Sequence, residues 1–196
     1  MKGPLPRFVV TTLLLLPLTF ALWYFAGPLF TWPVRLIVDA VARMGFADIV
    51  RSVEQQASVI TFVTSLRPGS AQGAGAISVD VNALLYSYGM PMFAALTLAA
   101  RERGYARKLA LGIVVLLPLV AWGVLADFLK NIAFTAGPLV ASQTGFSLAQ
   151  RQVIAFAYQF GALILPTVAP AAVWVLMHRG LLERMRAASG TDAQPE

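Results

Sequence analysis

The side chains that could carry chemistry in this 196-residue chain gather around one seam. Asp80 and Asn82 end an alternating stretch over 77–82, and Tyr86, Tyr88, Gly89 and Pro91 follow at once. Farther on, Asp127 and Lys130 stand one helical turn apart at the end of a long apolar run, and Gln159 lies beside Tyr158 in the next. A carboxylate at the mouth of a span is a place to hold a proton or cation, as ion-coupled carriers require. The plainer expectation is an Asp127–Lys130 ion pair. Tyr86 and Tyr88 have the apolar ring and polar tip of an interfacial belt. Gly89 and Pro91 should interrupt a helix, since Pro91 has no backbone donor to offer the Ser87 carbonyl. Asp80, Asn82, Tyr86, Tyr88, Gly89, Pro91, Asp127 and Gln159 therefore form the candidate functional seam, for a partner or for a transported species.

The rest of the composition excludes more than it offers. Zero cysteines rule out disulfides, thiolate metal sites and a cysteine nucleophile. The single histidine, His178, cannot supply a histidine metal cluster. The glycines between Arg67 and Gly75 lack the Gly-Lys-Ser/Thr ending of a phosphate cradle. No catalytic constellation, metal site or cofactor is expected. The formal charge of +6 invites a nucleic-acid reading. The basic residues, however, are short clusters beside apolar runs, a pattern of membrane orientation, so no nucleic-acid partner is expected.

The elements that must position the seam follow from hydropathy. Hydrophobic residues make up 58% of the chain and charged ones 12%, against roughly a quarter charged in a soluble domain. With a mean hydropathy of +0.72, it reads as an all-α integral membrane protein with four transmembrane helices. Residues 1–34 hold the N-terminus and a first span over 8–26, without the small-x-small site of a cleaved signal. Residues 35–82 read as an outward module. In it an amphipathic helix over 35–54 rests on the outer membrane surface, with Arg35, Asp39 and Arg43 on one face. A β-hairpin of 57–66 and 76–82 follows, around a glycine-rich tip. Residues 83–100, 109–126 and 152–177 read as the second, third and fourth spans. A basic turn (101–108) and an outer loop (127–151) join them, and 178–196 is a polar tail, disordered at its end. Ala95 with Ala99, and Ala157 with Gly161, offer small-residue faces for close helix packing.

Charge sets the expected orientation. Lys2, Arg7, Arg101, Arg103, Arg107, Lys108, Arg179, Arg184 and Arg186 fall on one side in short segments. Arg35, Arg43, Arg51, Arg67, Lys130 and Arg151 are spread over two long loops on the other. The positive-inside rule then puts both termini in the cytoplasm.

The string Asn82-Ala-Leu-Leu-Tyr-Ser-Tyr-Gly-Met-Pro-Met-Phe-Ala-Ala-Leu-Thr-Leu-Ala-Ala100 resembles one found in the exosortase H-associated membrane proteins of Gram-negative bacteria. The layout is similar too: an N-terminal anchor, an outer loop and three further spans. The resemblance implies a location in the bacterial inner membrane beside an exosortase, a transpeptidase-like enzyme that processes proteins with a C-terminal sorting tail. Exosortases use a membrane-embedded cysteine with arginine and histidine. This chain has no cysteine, so the resemblance implies an accessory and not the enzyme. The family brings no catalytic residues to carry over.

The leading expectation is a non-enzymatic inner-membrane accessory subunit of a protein-sorting or envelope-assembly system. Its partners would be membrane lipid and a membrane protein, the exosortase or its substrate. The alternative is a small homo-oligomeric transporter or lipid-handling protein, with the broken second span lining a path.

Overall fold

Apolar runs become helices because lipid offers no partner to backbone N–H and C=O groups. The computed structural model describes residues 4–68 and 75–191. Helix α1 (Pro4–Phe25) leads through Ala26 directly into α2 (Gly27–Gly45). Three strands follow, β1 (Val50–Gln56), β2 (Val59–Thr64) and β3 (Ser78–Asn82). Then come α3 (Leu84–Ser87), α4 (Gly89–Ala99), α5 (Tyr105–Lys130), α6 (Pro138–Gln143), α7 (Leu148–Gln159), α8 (Leu165–Met177) and α9 (Arg179–Thr191). A π-helical turn, Asn131–Thr135, extends α5, and a second, Phe160–Ile164, joins α7 to α8.

Among the described residues three helices are long and apolar enough to cross a membrane: Leu5–Phe25, Tyr105–Thr135 and Leu148–Met177. The segment expected as the second of four spans is a shorter apolar helix, Leu84–Ala99. At 1.5 Å per residue it covers about 24 Å, short of the roughly 30 Å hydrocarbon core. This segment is nevertheless the centre of the bundle. α4 packs against α1, α5 and α8, and buries Gly89, Met90, Pro91, Phe93, Ala95, Thr97 and Ala99.

The expected hairpin is present, and it is part of a larger sheet. β1, β2 and β3 form an antiparallel sheet in that order, so the fold is mostly helical and not all-α. Val53 pairs with Phe62 and Gln56 with Val59, while Thr61 pairs with Asp80 and Val59 with Asn82. Alternation aims Val53, Ile60, Phe62, Val79 and Val81 at one face, where all are buried. That face rests on α2 and on the end of α5, where Phe62 and Phe128 stack at 4.1 Å between ring centroids.

The amphipathic segment expected over 35–54, with Gly45 as its expected break, is helical as far as Gly45. Of the second apolar stripe, Phe46 and Ile49 lie in the turn before β1 and Val50 and Val53 in the strand. Helix α2 turns Thr31, Val34, Val38 and Ala42 inward, against β1 and α5. Its buried face is therefore covered by protein and not by a membrane surface. Arg35 Nε donates to the Val53 carbonyl at 3.1 Å, and Gln55 Nε2 to that of Pro28 at 2.9 Å, which fixes β1 to the helix. The outer loop over 127–151, expected to be partly helical with a kink at Gly137-Pro138, is largely helical with α6 starting at Pro138, and α7 starts ahead of the expected fourth span. Its start is a capping box: Ser147 Oγ accepts from Gln150 N, and Gln150 Oε1 from Ser147 N. The tail expected to be disordered from 187 is helical through Thr191. Residues 192–196, like the hairpin tip at 69–74, lie outside the described residues.

Candidate functional site

Two polar clusters stand out, one at each end of the bundle. At the sheet end, α3 carries Tyr86 and α5 carries Asp127. Tyr86 is 5% exposed, because its ring lies against Gly123, where any larger side chain would collide with it. Tyr86 faces Asp127 across the α3–α5 contact. Asp127 Oδ1 also meets Lys130 Nζ at 3.0 Å and accepts from Asn131 Nδ2 at 3.1 Å. Lys130 Nζ in turn sits 4.6 Å from the Tyr158 ring centroid. One carboxylate therefore ties the end of α5 to the π-helical turn that follows it, and is itself compensated by one cation. That is the arrangement of a structural node, since buried charges persist when paired and hydrogen-bonded.

The other candidate residues divide. Gly89 is a contact: a Cβ there would run into the Pro166 carbonyl and the Pro170 ring. Pro91 is buried in the first turn of α4, where a missing N–H costs little. Nearby, Trp23 Nε1 of α1 donates to Ser87 Oγ at 3.1 Å. Tyr88 is half-buried at the α3–α4 junction. Asp80 and Asn82 stay on the sheet. Asp80 Oδ1 accepts from Thr61 Oγ1 at 2.7 Å, and Asn82 Oδ1 accepts from Leu84 N at 3.0 Å, two residues on. Gln159 is exposed at the end of α7, and it is Tyr158 that joins the cluster. Asp39, paired with Arg43 at 3.0 Å, has a partner of its own. Among the described residues no group of acids and histidine could hold a metal ion.

Sequence reasoning passed over the second cluster, at the tail end. Glu102, between α4 and α5, receives Lys108 Nζ at 2.5 Å and Arg184 Nη2 at 2.6 Å, one on each oxygen. Lys108 Nζ also donates to the Met177 carbonyl at 2.9 Å. His178 is fully buried, with Nε2 3.8 Å from Glu102. Its Nδ1 lies 3.0 Å from the Trp174 carbonyl, an acceptor, so the neutral ring carries its proton on Nδ1. That leaves Nε2 buried without a donor. Burial pushes the His178 pKa down and Lys108 adds to it, against the opposing pulls of the Trp174 carbonyl and Glu102. Burial works the other way on Glu102, but Lys108, His178 and Arg184 outweigh it and hold the carboxyl below its ordinary value. The available signal was a lone acid inside the basic segment Arg101-Glu-Arg-Gly-Tyr-Ala-Arg-Lys108. Phe8 of α1 stacks on Trp174 at 5.6 Å, and Trp174 on His178 at 5.0 Å, which ties α1 to this node.

A family model described as exosortase H-associated membrane protein matches residues 2–181. No curated protein and no solved structure matches the chain.

Proposed function

The chain belongs to the exosortase H-associated membrane protein family, and from that premise we propose that it is a non-catalytic accessory subunit of an exosortase-type sorting or envelope-assembly system. In this reading it sits in the bacterial inner membrane with both termini in the cytoplasm. The Leu84–Ala99 segment serves as a fourth pass, and the sheet module faces the periplasm, as the distribution of basic residues favours.

The observation that carries the reading is the second face of α2. While Thr31, Val34, Val38 and Ala42 hold the helix to the module, Leu29, Trp32, Leu36 and Met44 form another stripe at helical spacing. Met44 is 80% exposed and Trp32 57%. Exposed apolar patches of this kind mark interaction sites, with aromatic anchors enriched among them. The occupant is the exosortase partner, whose spans would lie along α1. The lack of cysteine, and a histidine enclosed at the tail end, support a role without chemistry.

The transporter alternative draws less support from the seam. The space lined by Tyr86, Ser87, Gly89, Pro166 and Pro170 is about 10 Å³, room for roughly one water.

The test is crosslinking in native membranes followed by co-purification, comparing the unmodified protein with Trp32→Arg/Leu36→Arg. Recovery of the exosortase, reduced at least tenfold in the variant, is the expected result. Undiminished recovery moves the interface away from α2. Recovery of only a homo-oligomer overturns the accessory reading.

A further inference from the structure

At the tail end the first turns of α1, the end of α4 and the start of α9 border an open groove of about 550 Å³, within the range of roughly 300–1,000 Å³ that ligand sites occupy. Arg7, Arg101 and Arg184 line it together with Phe8, Ala99, Ala100 and Leu181. A second cavity of about 540 Å³ shares Ala100, Arg101, Leu181 and Arg184, and adds Glu102, Arg103 and Lys108. We propose that this double cavity binds the phosphate of an acidic glycerophospholipid, with the lipid's apolar part against Phe8, Ala99 and Leu181.

Charge is the first reason. Five basic side chains, Arg7, Arg101, Arg103, Lys108 and Arg184, line the two cavities against one acid, Glu102. That acid is already committed, with one oxygen to Lys108 and the other to Arg184. Among the described residues Arg7 and Arg101 form no ion pair. Their guanidinium groups are thus left with donors whose fork geometry matches phosphate oxygens. Glu102 meanwhile orients Arg184 through one nitrogen and leaves its other donors available.

The backbone is the second reason. Arg101 holds φ at +48°, a left-handed conformation that side-chain-bearing residues seldom adopt. Arg101 follows the C-cap Ala100 directly, ends α4 there, and so fixes where its backbone leaves the helix beside the cavity. The third reason is the lining. Phe8 is held by its stack on Trp174, so the cavity has a fixed apolar wall beside its cations. A free phosphate has no use for such a wall, whereas a phospholipid has an acyl or glycerol portion to place there. Clusters of arginine at the ends of spans are already accounted for by orientation. Orientation, however, asks only that they lie on one side, not that three of them line one cavity. The proposal rests on membrane insertion alone and not on the accessory role.

The experiment uses the purified full chain in neutral detergent and reads its thermal unfolding as phosphatidylglycerol, phosphatidylcholine or inorganic phosphate is added. The variants are R7Q/R101Q and a charge-matched control, R107Q/R179Q, whose arginines are exposed and outside the cavity. Phosphatidylglycerol should raise the unfolding temperature of the unmodified protein and the control alike. Its half-saturating concentration should rise at least tenfold in R7Q/R101Q, with phosphatidylcholine inert throughout. Equal weakening in both variants would reduce the effect to diffuse surface charge and overturn the site. A response to inorganic phosphate at the same concentrations, lost in R7Q/R101Q, would overturn the lipid assignment. Should the double variant fail to fold, R7Q alone, exposed on the first turns of α1, carries the same comparison.

Discussion

Glu102 and His178 show how one acid can organise the end of a helical bundle and make it sensitive to pH. Each titrates at a lower pH in the folded chain than in the unfolded one. Over each interval the unfolded chain therefore binds more protons, and stability falls as pH falls. The His178 contribution should begin to fade below about pH 6.5, and that of Glu102 below about pH 4.3, the ordinary values of these groups. Thermal unfolding followed from pH 8 to about pH 2 should show both losses, and His178→Gln should remove only the upper one. A midpoint that does not move between pH 7 and 5.5 would contradict the buried neutral imidazole. Gly89 makes a second point at this scale. Adding a methyl group there meets backbone, which cannot swing away, so Gly89→Ala should cost about 1–3 kcal/mol. Gly180→Ala, in α9 with open space around it, should be neutral or slightly stabilising. Chemical denaturation of the two variants side by side checks this.

Among the elements, what the sequence made legible followed periodicity, and what it hid broke periodicity. Strand β3 alternates cleanly, and β2 was readable from its β-branched and aromatic composition. Strand β1 was not, because its buried residues Val50 and Val53 lie three apart, as in a helix. The register shift between Val50 and Ser52 is what spaces them so. Nor did the turn advertise itself: Ala57 and Ser58 connect β1 to β2 without the Asn-Gly or Asp-Gly pair that marks tight hairpins. Ala57 accordingly adopts φ +53°. Ala57→Gly should therefore stabilise the module by up to about 1 kcal/mol, seen as slower hydrogen exchange across β1 and β2. At the seam, Gly89 and Pro91 were recognisable as an interruption, but its purpose was not. Only the tertiary structure reveals that Pro166 and Pro170 of α8 occupy the space a side chain would need. Tyr86 and Asp127, forty-one positions apart in sequence, meet for the same reason, because Gly123 lets the tyrosine ring close against α5.

At the scale of the molecule, a small three-stranded sheet is bolted to the end of the longest helix. The bolt is the Phe62–Phe128 stack, with both rings fully buried. Phe62→Ala should cost about 3–5 kcal/mol and release the module before the helices. Limited proteolysis in membranes should then cut within 57–66 while helical circular dichroism is retained. Simultaneous loss of both signals would mean that sheet and bundle form a single cooperative unit.

The aromatic stack at the tail end has an optical consequence. An excited indole passes an electron readily to a stacked imidazolium and far less so to a neutral imidazole, and here the two rings lie nearly parallel at 17°. With Trp23, Trp32 and Trp122 replaced by phenylalanine, the emission of Trp174 becomes a private gauge of the charge on His178. Acid should dim it reversibly, and His178→Gln should leave it bright. The same lamp sits one ring away from the cavity wall at Phe8, so occupancy there can be followed by fluorescence without adding a dye to the protein.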